Sequence, residues 1–142
     1  MRYLLVLIAL AGAVVSSLAL QVHYSTGTQP CSINEKWDCG IVNHSSFAVI
    51  GKVPVAAIGI LGYIVLGALA LMRQRLVLML VTFAGFCFAL RLTFIEQYAL
   101  GTWCLYCVYS QAIISLLLLL AIAWHAADYI RLKRAVKIDL YR

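Results

Sequence analysis

VPVAAIGILGYIVLGALALMRQRLVLMLVTFAGFCFALRLTFI, residues 53–95, decides the fold. Its charges are Arg73, Arg75 and Arg91, and the first two flank Gln74 in a short break between apolar runs at 53–72 and 76–95. At the helical rise of 1.5 Å per residue, such a run is about 30 Å long, which is the thickness of a bilayer's hydrocarbon core. Backbone groups in lipid find no water, so a helix is the form that satisfies them within one segment. Two further apolar runs, 3–20 and about 104–127, bracket this pair. We therefore expect an all-α integral membrane four-helix bundle, with residues 1–142 forming one domain.

Composition agrees with that reading. Of the 142 residues, 65% are hydrophobic and 11% charged, against about 25% charged in an ordinary soluble domain. A mean hydropathy of +0.99 points the same way, and both a soluble enzyme and a disordered chain are excluded. The net charge of +6 fits topology better than nucleic acid, because the basic residues are not interleaved with stacking aromatics. With the N-terminus in the cytoplasm, Arg2, Arg73, Arg75, Arg131, Lys133, Arg134, Lys137 and Arg142 lie inside, and Lys36 and Lys52 lie outside. That asymmetry obeys the positive-inside rule. Tyr24, Trp37, Tyr98, Trp103 and Tyr106 then mark the outer boundary, with Tyr3, Trp124 and Tyr129 at the inner one. The expected location is the inner (plasma) membrane, multi-pass, with both termini cytoplasmic. The run 3–20 is longer than a signal-peptide core and no clean A-x-A site follows it, so we expect it to be retained.

Four of the five cysteines fall on the outer side in this topology. Cys31 and Cys39 form a C-x7-C pair in the long connection 21–52, and Cys104 and Cys107 form C-x2-C where the last run begins. Three residues apart at a helix N-terminus, Cys104 and Cys107 share a face, and the positive end of the helix dipole favours thiolate there. C-x-x-C is the usual redox-active spacing. Cys31 and Cys39 lie on polar sequence, where we expect them exposed and mobile, able to pass electrons to the fixed pair by thiol–disulfide exchange. Permanent disulfides stapling a membrane scaffold are an alternative. Structural zinc is another, poorly served by the x7 spacing, and we expect no metal. Cys87, between Phe86 and Phe88, reads as an inert buried thiol. Electrons reaching Cys104/Cys107 need an acceptor, yet there is no dinucleotide fingerprint and no facing histidine pair for haem. By elimination the acceptor is a lipid-soluble quinone held among the helices.

Taken together, Cys31-x7-Cys39, CGIVNHSSFAVIG (39–51), VPVAAIGILGY (53–63) and FIEQYALGTWCLYCVYSQ (94–111) resemble the bacterial branch of the vitamin K epoxide reductase (VKOR) family. The DsbB family, also four-helix quinone-linked oxidases, has the two cysteine pairs in the reverse order. The resemblance implies a four-helix bundle around a quinone (ubiquinone, menaquinone or vitamin K type), with a capping loop or half-helix over its outer mouth. It implies that Cys107 faces the quinone, that Cys104 exchanges with Cys39, and that Cys31 meets a thioredoxin-fold (DsbA-like) partner. Ser45 falls on the family's Ser/Thr position near the catalytic cysteines, and its hydroxyl equally suits a helix cap. Bacterial relatives often carry a fused thioredoxin-like domain, absent from this sequence, so a separate carrier is expected. Gln111 stands where mammalian forms place a Tyr, and the mammalian Asn that holds the vitamin K oxygen has no counterpart. Both departures favour plain quinone reduction over epoxide reduction. Arg91, near the outer end of its run, either snorkels or pairs with Glu96, or it stabilises charge on the quinone during reduction. The expected function is a membrane thiol–disulfide:quinone oxidoreductase supporting disulfide formation in exported proteins. Its alternatives are a vitamin K quinone or epoxide reductase and a stapled scaffold.

Overall fold

A computed structural model describes residues 1–27 and 31–140; Arg142, counted above among the cytoplasmic charges, lies outside them. The chain is an all-α bundle of four apolar helices with one short helix across an end. The elements are α1 (Arg2–Tyr24), α2 (Cys39–His44), α3 (Val55–Leu71), α4 (Arg75–Ile95) and α5 (Leu105–Leu140). A 3-10 turn (Ser46–Ala48) and a two-residue antiparallel hairpin, β1 (Val49–Ile50) and β2 (Val53–Pro54), link α2 to α3. Pro54 sets the start of α3, where a missing N–H costs nothing. At the other end, Arg73 takes a left-handed φ of 57° between α3 and α4, which reverses the chain within Arg73–Gln74.

Helices α1, α4 and α5 are long and apolar enough to cross a membrane. Helix α3 has 17 residues, about 25 Å of helix. Helix α5 runs to Leu140, well past the expected end near 127. Nothing in 128–138 breaks a helix, and Arg, Lys, Leu and Ala continue it readily. Arg75 on α4 and Asp128 on α5 form an ion pair at that end, with the Arg75 guanidinium also over the Trp124 ring.

The main core joins Leu5 and Ala9 of α1, Tyr63, Leu66 and Ala70 of α3, Leu78 of α4, and Ile114, Leu117 and Ala121 of α5. Leu7, Leu10, Leu61, Ile64, Leu80, Phe83 and Leu119 point outward, the pattern of a bundle whose solvent is lipid. Cys87 also faces outward. The expectation of a buried thiol is corrected here, because the Gly85/Phe88/Ala89 side of α4 turns inward and leaves Cys87 on the opposite side. Small residues set how closely α1 and α3 approach. A Cβ on Gly12 would overlap the Tyr63 ring, and one on Gly59 would lie 3.0 Å from Ser16 Oγ.

Candidate active site

Cys31, Cys39, Cys104 and Cys107 meet at one end of the bundle. Cys31, Cys39 and Cys104 are buried in a second cluster with Val22 and Val42, and Cys107 packs against it. Cys31 and Cys39 are joined in a disulfide, with Cα atoms 5.8 Å apart. Cys104 and Cys107 are free thiols. The loop pair is therefore not exposed, contrary to the reading of its polar sequence: Cys31 is 2% and Cys39 0% accessible. The intervening Ser32, Ile33, Asn34, Glu35 and Lys36 carry the exposure instead.

Backbone hydrogen bonds clamp this segment down. Asp38 N–H donates to Trp103 O at 3.1 Å and Trp103 N–H to Lys36 O at 2.8 Å, a parallel bridge that lays the loop beside the C-x-x-C turn. The Asn34 side-chain oxygen accepts from the backbone N–H of Lys36 and of Trp37. Asp38 caps α2, its carboxylate accepting from Gly40 N–H at 2.8 Å and Ile41 N–H at 3.2 Å. The Ser32 hydroxyl first, and these N–H groups with it, hold the Asp38 carboxyl below the usual carboxylate range. A lowered folded-state pKa means the cap is intact at neutral pH and is lost as pH falls through that value. Asp38→Ala should cost about 1 kcal/mol locally, seen as faster hydrogen exchange at Gly40 and Ile41; unchanged protection would mean the cap holds nothing.

On the α4 side, the helix ends in one π turn, Glu96–Leu100, closed by Gly101 at a left-handed φ of 64°. That turn swings Glu96 inward. It is 3% accessible, and its Oε2 accepts from Cys104 N–H at 3.1 Å. Glu96→Gln keeps an oxygen acceptor and should fold normally. Glu96→Leu leaves a buried N–H unpaired and should lose about 1–3 kcal/mol, read as a lower midpoint of thermal unfolding in detergent.

Cys104 stands just before α5, its carbonyl accepting from Val108 N–H. Its thiol is held below the ordinary thiol range. The hydrogen bond from Cys107 is the largest cause, opposed by burial, with the Cys107 backbone N–H and the Asn43 amide adding to it against the Glu96 charge. Asn43 is buried on α2; its Nδ2 donates to Cys39 O at 2.9 Å and to Cys104 Sγ at 3.5 Å.

A cavity of about 390 Å³ opens from this point into the bundle among α1, α3, α4 and α5. Cys107, Glu96, Asn43, Tyr63 and Ser110 are among its polar lining, and Gly59, Leu92, Phe88 and Ile114 are among its apolar lining. The Tyr63 hydroxyl bonds Ser110 O at 2.9 Å. A smaller cavity of about 50 Å³ adjoins it, sharing Asn43, Glu96 and Cys107 and adding Ser45. The Ser45 hydroxyl donates back to Val42 O at 2.7 Å and makes no cap bond to the next turn.

Two expected members do not line this space. Arg91 is exposed on α4, because α4 presents Phe88, Leu92 and Thr93 to the cavity and Arg91 lies off that face. Nor does it meet Glu96, whose carboxyl is turned inward. Gln111 lines neither cavity; at about 100° per residue it sits just past Cys107, on the side of α5 away from Tyr106, Ser110 and Ile114. Its Oε1 is buried with no hydrogen-bond partner among the described residues. Asn43, Tyr63 and Ser110 were missed as site residues. An amide four residues after Cys39 was the available signal for Asn43, since i and i+4 share a helical face.

The chain matches the family model described as the vitamin K epoxide reductase family over residues 3–122. No curated protein matches it.

Proposed function

The chain belongs to the vitamin K epoxide reductase family of membrane thiol–disulfide oxidoreductases, and from that premise we propose that it reoxidises a thioredoxin-fold (DsbA-like) carrier and delivers the electrons to a quinone. The observation that carries this reading is the serial arrangement of the thiols. A disulfide, Cys31–Cys39, is packed in one cluster with Cys104, and Cys107, one helical turn on, forms the wall of an apolar cavity. The free Cys104/Cys107 pair also speaks against a fully stapled scaffold.

The cavity suits a quinone. Its volume, about 390 Å³, is in the range of small-ligand sites, and an apolar wall with a few polar groups is what such a ring needs. A bound quinone supplies an acceptor for two electrons and two protons. Cys107 is the thiol at that wall, with Ser45, Glu96 and Tyr63 as the polar groups near it.

The exchange chemistry then follows from the thiols alone. A carrier thiolate attacks Cys31, Cys39 leaves, and the carrier's second thiol resolves the mixed disulfide, so the carrier is oxidised and the loop pair reduced. Cys39 thiolate attacks Cys104 of a Cys104–Cys107 disulfide, and Cys107 leaves with the electron pair at the cavity wall. Cys31 then attacks Cys39 and expels Cys104. The products are the loop disulfide and the free C-x-x-C pair, the state described above. Each 30 mV by which the carrier couple lies below the acceptor adds about 1.4 kcal/mol of drive. Because Cys31 is buried, carrier attack requires residues 31–38 to lift from Trp103.

The test is oxidation of a reduced DsbA-like protein by the purified chain in detergent with ubiquinone or menaquinone. Quinone loss matched one-to-one by carrier disulfide is the expected result. Thiols that stay unreactive with every quinone offered would sink the reading. The proposed setting is the inner membrane, with both termini cytoplasmic and the four cysteines on the periplasmic side.

A further inference from the structure

We propose that Asn43 is a positioning residue for disulfide exchange, its amide tying the backbone of Cys39 to the sulfur of Cys104 and holding Cys104 as a stabilised thiolate. The inference rests on the exchange step proposed above and goes beyond it by naming the group that controls it. A carboxamide nitrogen carries two hydrogens. One meets Cys39 O at 2.9 Å and the other Cys104 Sγ at 3.5 Å, so a single side chain spans the two residues that exchange. The amide's orientation is dictated by its partners. Turned over, Oδ1 would face the Cys39 carbonyl, setting one acceptor against another. The backbone of Asn43 is itself fixed from α1, where His23 Nδ1 lies 2.5 Å from Asn43 O, and the His23 and His44 rings stack.

The consequence lies in the second exchange step. Cys31 thiolate attacks Cys39 Sγ, the Cys39–Cys104 bond breaks, and Cys104 departs with the electron pair. A thiol whose thiolate is stabilised leaves faster and is a weaker nucleophile for the return attack. The Asn43 N–H acts on both, so it biases the two pairs toward the loop disulfide and the reduced C-x-x-C. The ionisable groups around Cys104 are Cys107 on α5, Glu96 on the π turn, Tyr106 on α5, Asp38 at the start of α2, and His23 and His44 beside Asn43.

Two variants separate the bond to sulfur from the bond that supports α2. A threonine hydroxyl in a helix bonds the carbonyl four residues back, so Asn43→Thr keeps the link to Cys39 O while falling short of Cys104 Sγ. Asn43→Leu removes both bonds. The readout is the pH dependence of Cys104 alkylation in quinone-free protein reduced at the C-x-x-C, followed by peptide mass spectrometry. The midpoint should rise by about one unit in Asn43→Thr, a roughly tenfold lower rate below it, while the thermal midpoint stays near wild type. An unshifted alkylation profile in folded Asn43→Thr overturns the proposal, whatever Asn43→Leu does. A shifted profile in Asn43→Leu alone also overturns it, since the bond to Cys39 O would then be the source. The exchange reading is judged separately, by trapping a Cys39–Cys104 disulfide in a Cys31→Ser, Cys107→Ser double variant. Its absence would remove the relay and leave the alkylation profiles standing as evidence on the hydrogen bond alone.

Discussion

Cys107→Ala should reduce quinone turnover with a reduced DsbA-like carrier by a factor on the order of 10³ or more, leaving the fold and the Cys31–Cys39 disulfide intact. Cys107 is the cysteine on the wall of the 390 Å³ cavity, whereas Cys104 faces Asn43 and the loop pair. In the proposed relay the wall thiol is the point from which electrons leave the chain, and neither Cys104 nor the outward-facing Cys87 is placed to replace it. Cys31→Ala is the companion. It should abolish turnover with the protein carrier yet retain reaction with a small dithiol, which reduces Cys104–Cys107 without using the loop. Quinone absorbance and free thiols, followed together, decide both. Equal loss of the two activities in Cys31→Ala would mean that the loop pair maintains structure and carries no electrons.

The second large effect is on packing. Gly12 on α1 lies against the face of Tyr63, and an added methyl would overlap the ring. Tyr63 is 6% accessible, belongs to the main core, and is tied to Ser110 by its hydroxyl. The ring has nowhere to retreat except into the cavity that it lines. Gly12→Ala should therefore lower stability by about 1–3 kcal/mol and weaken quinone affinity at the same time. Gly62→Ala provides the contrast, because nothing lies within 4 Å of its added Cβ and it borders the same cavity. It should melt with wild type. Thermal unfolding in detergent with and without quinone separates the cases, and a Gly12→Ala protein as stable as Gly62→Ala would show that α1 and α3 are free to part.

Much of this was legible in one dimension because its physics is one-dimensional. Apolar runs long enough for a bilayer, broken by Arg73-Gln74-Arg75, can only be buried or lipid-facing helices, and the four helices follow. The spacing of Cys104 and Cys107 across one turn, and their place where an apolar run begins, also needed no partner to interpret. The side on which a residue falls within an unbroken apolar helix was harder. Helix α4 is hydrophobic all round, so no polar stripe told Cys87 and Arg91 from Phe88 and Leu92. The same ambiguity put Gln111 at the cavity when the residue before it occupies that face.

The loop shows the opposite failure. Ser32 to Asp38 reads as exposed, and most of it is, but exposure of the connecting residues says nothing about the cysteines at either end. Their burial comes from a bridge between Trp37 and Trp103, residues distant in sequence. By itself the sequence determined the class of fold, its membrane setting and which thiols come in pairs, since length, hydropathy and cysteine spacing are properties of segments. Only the tertiary structure decided that the loop disulfide is shielded, that Asn43 lines the cavity with Cys107, and that Asn43 and Glu96 hold Cys104 between them. Those outcomes depend on which faces meet when α2, the π turn and α5 converge, and no local pattern encodes that meeting.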